Sequence, residues 1–239
     1  LPETQAFPML FYRTDILEEL ELDVPQTWDD VIAMLPVLQK KNLNFGLPAP
    51  ISTTGSGVGL PVYAMFLYQN GGEFYSADAQ RSLLDSDAAI DAFYTWTRLY
   101  TDYTLPREYD FNTRFRAGTI PIGVADYGTF NALSVFAPEL AGVWEFAPVP
   151  GVRKADGSID RSVAGTVTAS VMLSTAGNKE GAWEFLKWWT SAEIQIRFGV
   201  EMEAVLGPSA KQPTANIEAL SELPWTVEEY TALRSQQAV

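Results

Sequence analysis

The stretch FYRTDILEELELDVPQTWDDVIAMLPVLQKKN, residues 11–42, decides the fold because it joins a strand to two helices over a short distance. The apolar run FPMLFY at residues 7–12 predicts the strand. The following TDILEEL, residues 14–20, begins with a capping residue and continues with apolar residues at helical spacing. A strand that leads directly into a helix is the start of an α/β layer.

A capping motif predicts the start of the second helix. Thr27 and Asp30 form a variant of the capping box in which Asp replaces the usual Glu or Gln. Trp28 and the apolar residues after it recur at helical spacing and predict a helix over residues 28–40, with Pro36 expected to bend it.

The same alternation continues along the rest of the chain. Apolar spacing predicts helices over residues 62–69, 86–103, 110–117, 128–137, 178–189, 191–200, 214–220 and 227–233, and strands over 44–47, 120–125, 143–149 and 163–173. The helix over 86–103 is the clearest, and one of its sides carries Ile90, Phe93, Tyr94, Thr97 and Tyr100. The glycine-rich residues 48–61 predict a mobile loop that a ligand approaches closely.

Composition excludes several classes of function. The chain has 30 acidic and 16 basic residues, a net charge of −14, which disfavours binding to nucleic acids and to anionic membrane surfaces. It has neither Cys nor His, so it lacks thiolate nucleophiles, imidazole bases and the commonest ligands of transition metals. We therefore predict no metal site, no cofactor and no catalytic residue.

Five motifs, in one order, resemble the family 1 extracellular solute-binding proteins, which include maltose-binding proteins. They are listed here in chain order: PQTWDDV at residues 25–31, NGG at 70–72, FRAG at 115–118 followed by ADYGT at 125–129, VAG at 163–165, and AWEFLKWWTSAEIQ at 182–195. The resemblance covers residues 7–220.

The resemblance implies an α/β fold of the type II periplasmic-binding-protein-like class, here the second lobe plus a returning part of the first lobe. On this basis, residues 1–13 are expected to form the interlobe crossover strand. Residues 14–149 and 213–239 are expected to form lobe II, and residues 150–212 to return to lobe I. A first lobe of roughly a hundred residues, the size of one compact lobe, is expected to be missing.

The resemblance also implies a function. A solute-binding protein of this family captures a sugar or oligosaccharide by closure of two lobes and delivers it to the permease of an ABC importer. The protein is then expected to be a monomer without enzymatic activity. Its expected location is extracellular, as a cell-surface lipoprotein of a Gram-positive bacterium, or periplasmic.

Tyr127 and Asp126 are the first candidates for ligand binding. Sugars need flat apolar surfaces for their C–H faces and polar groups for their hydroxyls. The resemblance matches Tyr127 to the sugar-stacking aromatic residue of the family, and Asp126 beside it is expected to accept hydrogen bonds from hydroxyls. The alternatives are a Tyr127 that closes the core and an Asp126 that caps the next helix.

Five further residues are candidates with structural alternatives. Gly165 and Thr166 offer a backbone that a ligand can approach, or else a β-bulge. Tyr63, Tyr12 and Gln5 either contact the ligand or serve the fold.

Two other functions remain open at this point. A carbohydrate-active enzyme of the glycoside hydrolase kind would need a pair of carboxylates at a defined separation, and the sequence singles out no such pair. An envelope module that binds no small molecule is the other alternative.

Overall fold

The structure is a computed structural model that describes residues 1–48 and 59–237. The side chains of residues 59–61 are also outside the description. Most of the predicted glycine-rich loop over residues 48–61 therefore lies outside the described residues.

Eight strands and ten helices make up the described part of the chain, with short 3₁₀ turns at Pro138–Leu140 and Pro208–Ala210. The strands are β1 (Pro2–Ala6), β2 (Pro8–Arg13), β3 (Phe45–Gly46), β4 (Ile122–Asp126), β5 (Trp144–Ala147), β6 (Val152–Arg153), β7 (Ile159–Asp160) and β8 (Thr166–Ala169). The helices are α1 (Thr14–Glu19), α2 (Trp28–Lys40), α3 (Gly59–Gln69), α4 (Asp87–Thr101), α5 (Phe111–Arg116), α6 (Thr129–Phe136), α7 (Lys179–Trp189), α8 (Ala192–Leu206), α9 (Ile217–Glu222) and α10 (Val227–Gln237).

The chain forms two compact units. The first unit consists of Leu1–Phe7, Asp126–Pro138 and Gly165–Tyr230. The second consists of Pro8–Ala125, Glu139–Ala164 and Thr231–Val239. The assignment of sequence ranges to two lobes of a longer protein stays a prediction.

The second unit is built on a four-stranded sheet in the order β3-β4-β2-β5. β3 and β4 are parallel, and β2 and β5 are antiparallel. Gly46 lies opposite Gly123 in the parallel pair, and a Cβ added to Gly123 would lie only 2.6 Å from the Gly46 carbonyl oxygen. Only glycine allows the two backbones to approach this closely.

The core of the second unit is centred on Trp28. This side chain is buried, and its ring centroid lies 4.5 Å from that of Phe66 on α3. The indole N–H donates to Gln69 Oε1 at 2.7 Å, and Gln69 Nε2 donates to the Pro150 carbonyl oxygen at 3.2 Å. A buried Trp needs such a partner, because an unpaired indole N–H in the core costs free energy.

The predicted capping box is confirmed. Thr27 Oγ1 accepts a hydrogen bond from the Asp30 N–H at 3.2 Å, and Asp30 Oδ2 accepts one from the Thr27 N–H at 2.8 Å. α2 covers the predicted residues and continues through Pro36.

The first unit contains a two-stranded antiparallel sheet of β1 and β8. Its helices are α6, α7, α8 and α9, and α10 begins in it. Thr4 and Thr168 face each other across the two strands through a short hydrogen bond between their hydroxyls. The pairing joins segments that are 164 residues apart in sequence.

The predicted side of α4 faces outward. Ile90, Phe93 and Tyr94 are exposed, whereas Ala89, Ala92 and Leu99 are the buried residues of this helix. The small alanines allow α4 to pack closely, and the large residues are left on the outer side.

Two further differences concern secondary structure. Residues 152–160, for which the sequence predicted no strand, contain β6 and β7, which pair in a short antiparallel hairpin. α8 continues to Leu206, six residues past its predicted end at residue 200. Within residues 1–48 and 59–237, no helix combines the length and the apolar character needed to cross a membrane.

We predict that Thr27→Ala lowers the free energy of unfolding by about 1 kcal/mol, because the Asp30 N–H loses its acceptor at the start of α2. Chemical denaturation measures this. Thr101→Ala, at the exposed end of α4, is the matched control and should change stability by less than about 0.5 kcal/mol. Equal effects of the two substitutions would contradict the capping role.

A second prediction concerns acid stability. Hydrogen bonds from the Arg13 guanidinium, at 2.8 and 2.5 Å, hold the pKa of the Asp15 carboxyl below its ordinary value. A carboxyl with a lowered pKa in the folded state stabilises the fold above its unfolded pKa, and this stabilisation is lost as the pH falls through the lowered value.

Asp15→Asn should therefore destabilise the protein at neutral pH by about 1 kcal/mol or less, since the pair is partly exposed, and the difference from wild type should vanish at low pH. Denaturation midpoints between pH 7 and pH 2 test this. The exposed Asp23→Asn is the control. A difference that stays constant over this pH range would refute the assignment.

Candidate functional site

A tight turn follows β4 in the first unit. Asp126 is the last residue of β4, and its Oδ1 accepts a hydrogen bond from the Gly128 N–H at 2.8 Å. The side chain thus fixes the turn that leads into α6, whose N-cap residue Gly128 has no capping side chain of its own. Loss of hydration at this position raises the pKa of the Asp126 carboxyl, and the Gly128 N–H opposes the shift only in part.

Tyr127 is held inside this turn. Its N–H donates to the Phe7 carbonyl oxygen at 3.1 Å, and the two ring centroids lie 5.1 Å apart. The residue is only 5% exposed, so the ring presents no open face for stacking in this structure. Its hydroxyl is buried without a hydrogen-bond partner among the described residues, and burial raises the pKa of the phenol.

Gly165 and Thr166 lie beside the end of β1. Thr166 pairs with Ala6, and a Cβ built on Gly165 would lie 3.4 Å from the Ala6 carbonyl oxygen, an ordinary contact. The irregularity in the pairing of β1 with β8 lies between Pro2 and Thr4, away from Gly165. The bulge that was the structural alternative is thus found elsewhere on these strands.

Gln5 completes this group. It pairs with Val167 in the sheet, and its side-chain Nε2 donates to the Thr214 carbonyl oxygen at 3.1 Å. The structure therefore brings five predicted residues together in the first unit, along β1 and Phe7; they are Gln5, Asp126, Tyr127, Gly165 and Thr166. We call this group the β1 cluster.

Tyr12 and Tyr63 belong to the second unit. The Tyr12 hydroxyl donates to Glu145 Oε2 at 2.6 Å, across the pairing of β2 with β5. Burial, and then the hydrogen bond to Glu145, raise the pKa of Tyr12. The Tyr63 hydroxyl donates to the Ala89 carbonyl oxygen at 3.1 Å and so links α3 to α4. Both contacts serve the fold.

Phe7 is the residue that the sequence reasoning missed. It was included in the predicted strand over residues 7–12, but it lies between β1 and β2 and contacts Tyr127 through both its carbonyl and its ring. The sequence does indicate this break between two strands. Pro8 directly follows Phe7, and a proline has no backbone N–H to donate to a neighbouring strand.

A concave surface lies mainly on α3 and α4 in the second unit. It has a volume of about 640 Å³ and is lined mainly by Tyr63, Ile90, Phe93, Tyr94 and Trp96. The Tyr63 ring centroid lies 5.8 Å from that of Trp96 and 6.3 Å from that of Phe93. This volume is in the range of small-molecule sites, and we call it the aromatic pocket.

The described residues contain no group of three or more carboxylates that is placed to hold a metal ion. The polar atoms of the β1 cluster and the rings of the aromatic pocket offer hydrogen bonds and apolar surfaces. These are the means by which proteins bind neutral polar solutes.

Residues 1–196 match the model of the family described as bacterial extracellular solute-binding protein. The chain belongs to this family. The match covers most of the 239 residues and confirms the resemblance seen in the five motifs. The family is one of solute-binding proteins and not one of enzymes.

Solved structures of solute-binding proteins share the fold. A Thermotoga lettingae ABC transporter solute-binding protein bound to α-D-tagatose has a TM-score of 0.71 at 20% identity over 100% of this chain. The cyclic α-maltosyl-1,6-maltose binding protein of Arthrobacter globiformis has a TM-score of 0.72 at 18% identity, also over 100%. Maltose-bound MalE3 of T. maritima has a TM-score of 0.69 at 20% identity over 98%.

The chain spans only part of these proteins. It covers 60% of the T. lettingae protein, 59% of the A. globiformis protein and 60% of the T. maritima protein. No match was found among curated proteins. The likeness confirms a solute-binding protein fold of the α/β class.

We predict that Tyr127→Phe raises the free energy of unfolding by about 1 kcal/mol. The substitution keeps the ring on Phe7 and removes a buried hydroxyl that has no partner among the described residues. Thermal and chemical denaturation measure the change.

Tyr63→Phe is the matched control with the opposite expected sign, because its hydroxyl donates to the Ala89 carbonyl oxygen. It should lower stability by about 1 kcal/mol. A loss of stability in Tyr127→Phe as large as that in Tyr63→Phe would show that the Tyr127 hydroxyl is satisfied in the folded protein.

Proposed function

We propose that the protein captures a sugar or an oligosaccharide for import by an ABC transporter. The observation that carries this proposal is the match of residues 1–196 to the solute-binding family. Of the similar structures, the T. lettingae protein is bound to α-D-tagatose and MalE3 of T. maritima is bound to maltose, which supports a carbohydrate as the class of solute. The partner would be the permease of the importer.

We propose that the β1 cluster contacts the solute. Asp126 has one carboxylate oxygen engaged by the Gly128 N–H, and its Oδ2 accepts no hydrogen bond from a described residue. A carboxylate oxygen with free acceptor capacity suits a sugar hydroxyl, because hydrogen bonds to charged groups are the stronger ones. Tyr127 next to it supplies the aromatic ring, and its burial in this structure requires that the ring face be uncovered when the solute binds.

We also propose where the protein is located. The family description supports an extracellular location, and we propose a cell-surface lipoprotein of a Gram-positive bacterium, or a periplasmic protein, that acts as a monomer and without catalysis. The absence of Cys and His from the sequence leaves carboxylates as the main groups for acid–base chemistry.

Titration calorimetry with a panel of mono- and oligosaccharides tests the site. With the saccharide that binds most tightly, Asp126→Asn should weaken binding about tenfold, equivalent to about 1.4 kcal/mol, because a charged acceptor is replaced by a neutral amide. Tyr127→Phe should change the affinity less, since the ring is retained.

Tyr94→Ala, in the aromatic pocket, serves as the matched control and should leave the affinity unchanged. The reverse pattern, with Tyr94→Ala weakening binding and Asp126→Asn having no effect, would place the solute in the aromatic pocket and refute the proposed site. Absence of binding to every saccharide would refute the proposed solute class.

The rival function, a carbohydrate-active enzyme, is tested on the same samples. Each oligosaccharide that binds is incubated with the protein and analysed by mass spectrometry. A binding protein returns the ligand unchanged, whereas shortened products would overturn the non-enzymatic assignment.

A further inference from the structure

The aromatic pocket differs in its chemistry from the β1 cluster. The described side chains that line it are aromatic or aliphatic, and none of them carries a carboxylate, an amide or a basic group. The Tyr63 hydroxyl is already engaged, because it donates to the Ala89 carbonyl oxygen. A sugar needs partners for several hydroxyls, and each hydroxyl that is buried without a partner costs free energy. The pocket therefore does not suit a polyhydroxylated solute.

Three rings form the wall of the pocket. The ring centroids of Tyr63, Phe93 and Trp96 lie 5.8–6.3 Å from one another. Phe93 is inclined by 75° to Tyr63 and by 74° to Trp96, so its ring is not stacked on either of them. Phe93 is also 51% exposed, and Tyr94 beside it is 66% exposed. The face of an aromatic ring carries negative partial charge, which attracts a cation within about 6 Å of the centroid.

Two carboxylates on α4 lie next to this wall. Asp87 and Asp91 are exposed and one helical turn apart. Because residues three positions apart are neighbours on the surface of a helix, Asp87 lies beside Ile90, and Asp91 lies beside Tyr94. Both neighbours line the pocket. The rim of the pocket is therefore acidic on the side of α4.

The basic residues nearby do not neutralise this rim. Residues 70–102 contain only two basic residues, and each is paired with another aspartate. Arg81 contacts Asp85 at 3.3 Å, and Arg98 contacts Asp102 at 3.8 Å. The ion pairs among the described residues include neither of the two carboxylates on the rim. The net charge of −14 has the same sign, so the field at the pocket favours a cation.

We infer that the aromatic pocket binds a small organic cation with apolar substituents, the class to which quaternary ammonium compounds belong. Such a cation has no N–H group, so it loses no hydrogen bond in a pocket without acceptors, and its methyl groups contact the rings. A metal ion would need oxygen ligands, which the lining side chains do not provide. The inference does not rest on the proposed function, because it concerns a different site and a different class of ligand.

The first experiment compares ligands on the unaltered 239-residue chain. Titration calorimetry is carried out with choline, with tetramethylammonium and with dimethylbutanol, the uncharged isostere of choline in which carbon replaces nitrogen. Choline should bind about tenfold more tightly than dimethylbutanol, and its affinity should fall as salt is added, because exposed carboxylates are screened. Equal affinities of choline and dimethylbutanol would overturn the inference. Absence of binding of both cations at millimolar concentrations would overturn it as well.

The second experiment locates the cation with substitutions in the pocket. Phe93→Ala should weaken choline binding about tenfold, because a ring of the wall is lost. Asp87→Asn combined with Asp91→Asn should weaken it about threefold and reduce its dependence on salt. Tyr75→Ala is the matched aromatic control, since Tyr75 is 62% exposed and does not line the pocket, and it should leave the affinity unchanged.

The same titration separates the pocket from the β1 cluster. Asp126→Asn should not alter the affinity for choline. A loss of choline binding in Asp126→Asn, with none in Phe93→Ala, would place the cation at the β1 cluster and overturn the inference. Phe93 is half exposed, so Phe93→Ala is expected to fold, and its melting temperature is measured beside that of wild type. If that variant is unfolded, the comparison of choline with dimethylbutanol decides.

Discussion

The hydrogen bond from the Trp28 indole to Gln69 is the contact on which the second unit depends. Burial of a side chain as large as Trp is more favourable when its N–H finds a partner, and Gln69 provides this partner from the end of α3. The same Gln69 then donates to the Pro150 carbonyl oxygen, which fixes the segment after β5. One side chain therefore sets the positions of α2, α3 and that segment relative to one another.

The motif PQTWDDV combines two functions within a few residues. Thr27 and Asp30 satisfy the free N–H groups at the start of α2, and Trp28 anchors the same turn in the core. Because both effects are local, the bounds of α2 could be predicted from the sequence alone.

The orientation of α4 could not be predicted in this way. Its alanines and its large residues both recur at helical spacing, and the close approach of α3 selects the alanines for the buried side.

The residues that form the β1 cluster could be predicted only from the resemblance to a family. Asp126 and Tyr127 are adjacent in sequence, but Gly165 and Thr166 are brought to the end of β1 by the pairing of β1 with β8, whose partners lie 160 or more residues apart. No local pattern carries information about such a contact. The burial of Tyr127 depends on a contact of the same kind. The Tyr127 ring packs against Phe7, which directly follows β1 and lies 120 residues away in sequence.

The aromatic pocket and the exposed side chains of Val167 on β8 and Val171 after it are all apolar, yet the two regions differ in one physical respect. Most of the pocket lies on helices, whose backbone N–H and C=O groups are paired within α3 and α4, so it offers mainly side chains to a ligand. Val167 lies on β8, which among the described residues pairs with β1 alone, so a strand edge lies beside these side chains. A concave set of rings suits a small molecule, whereas unpaired backbone groups are satisfied best by another backbone.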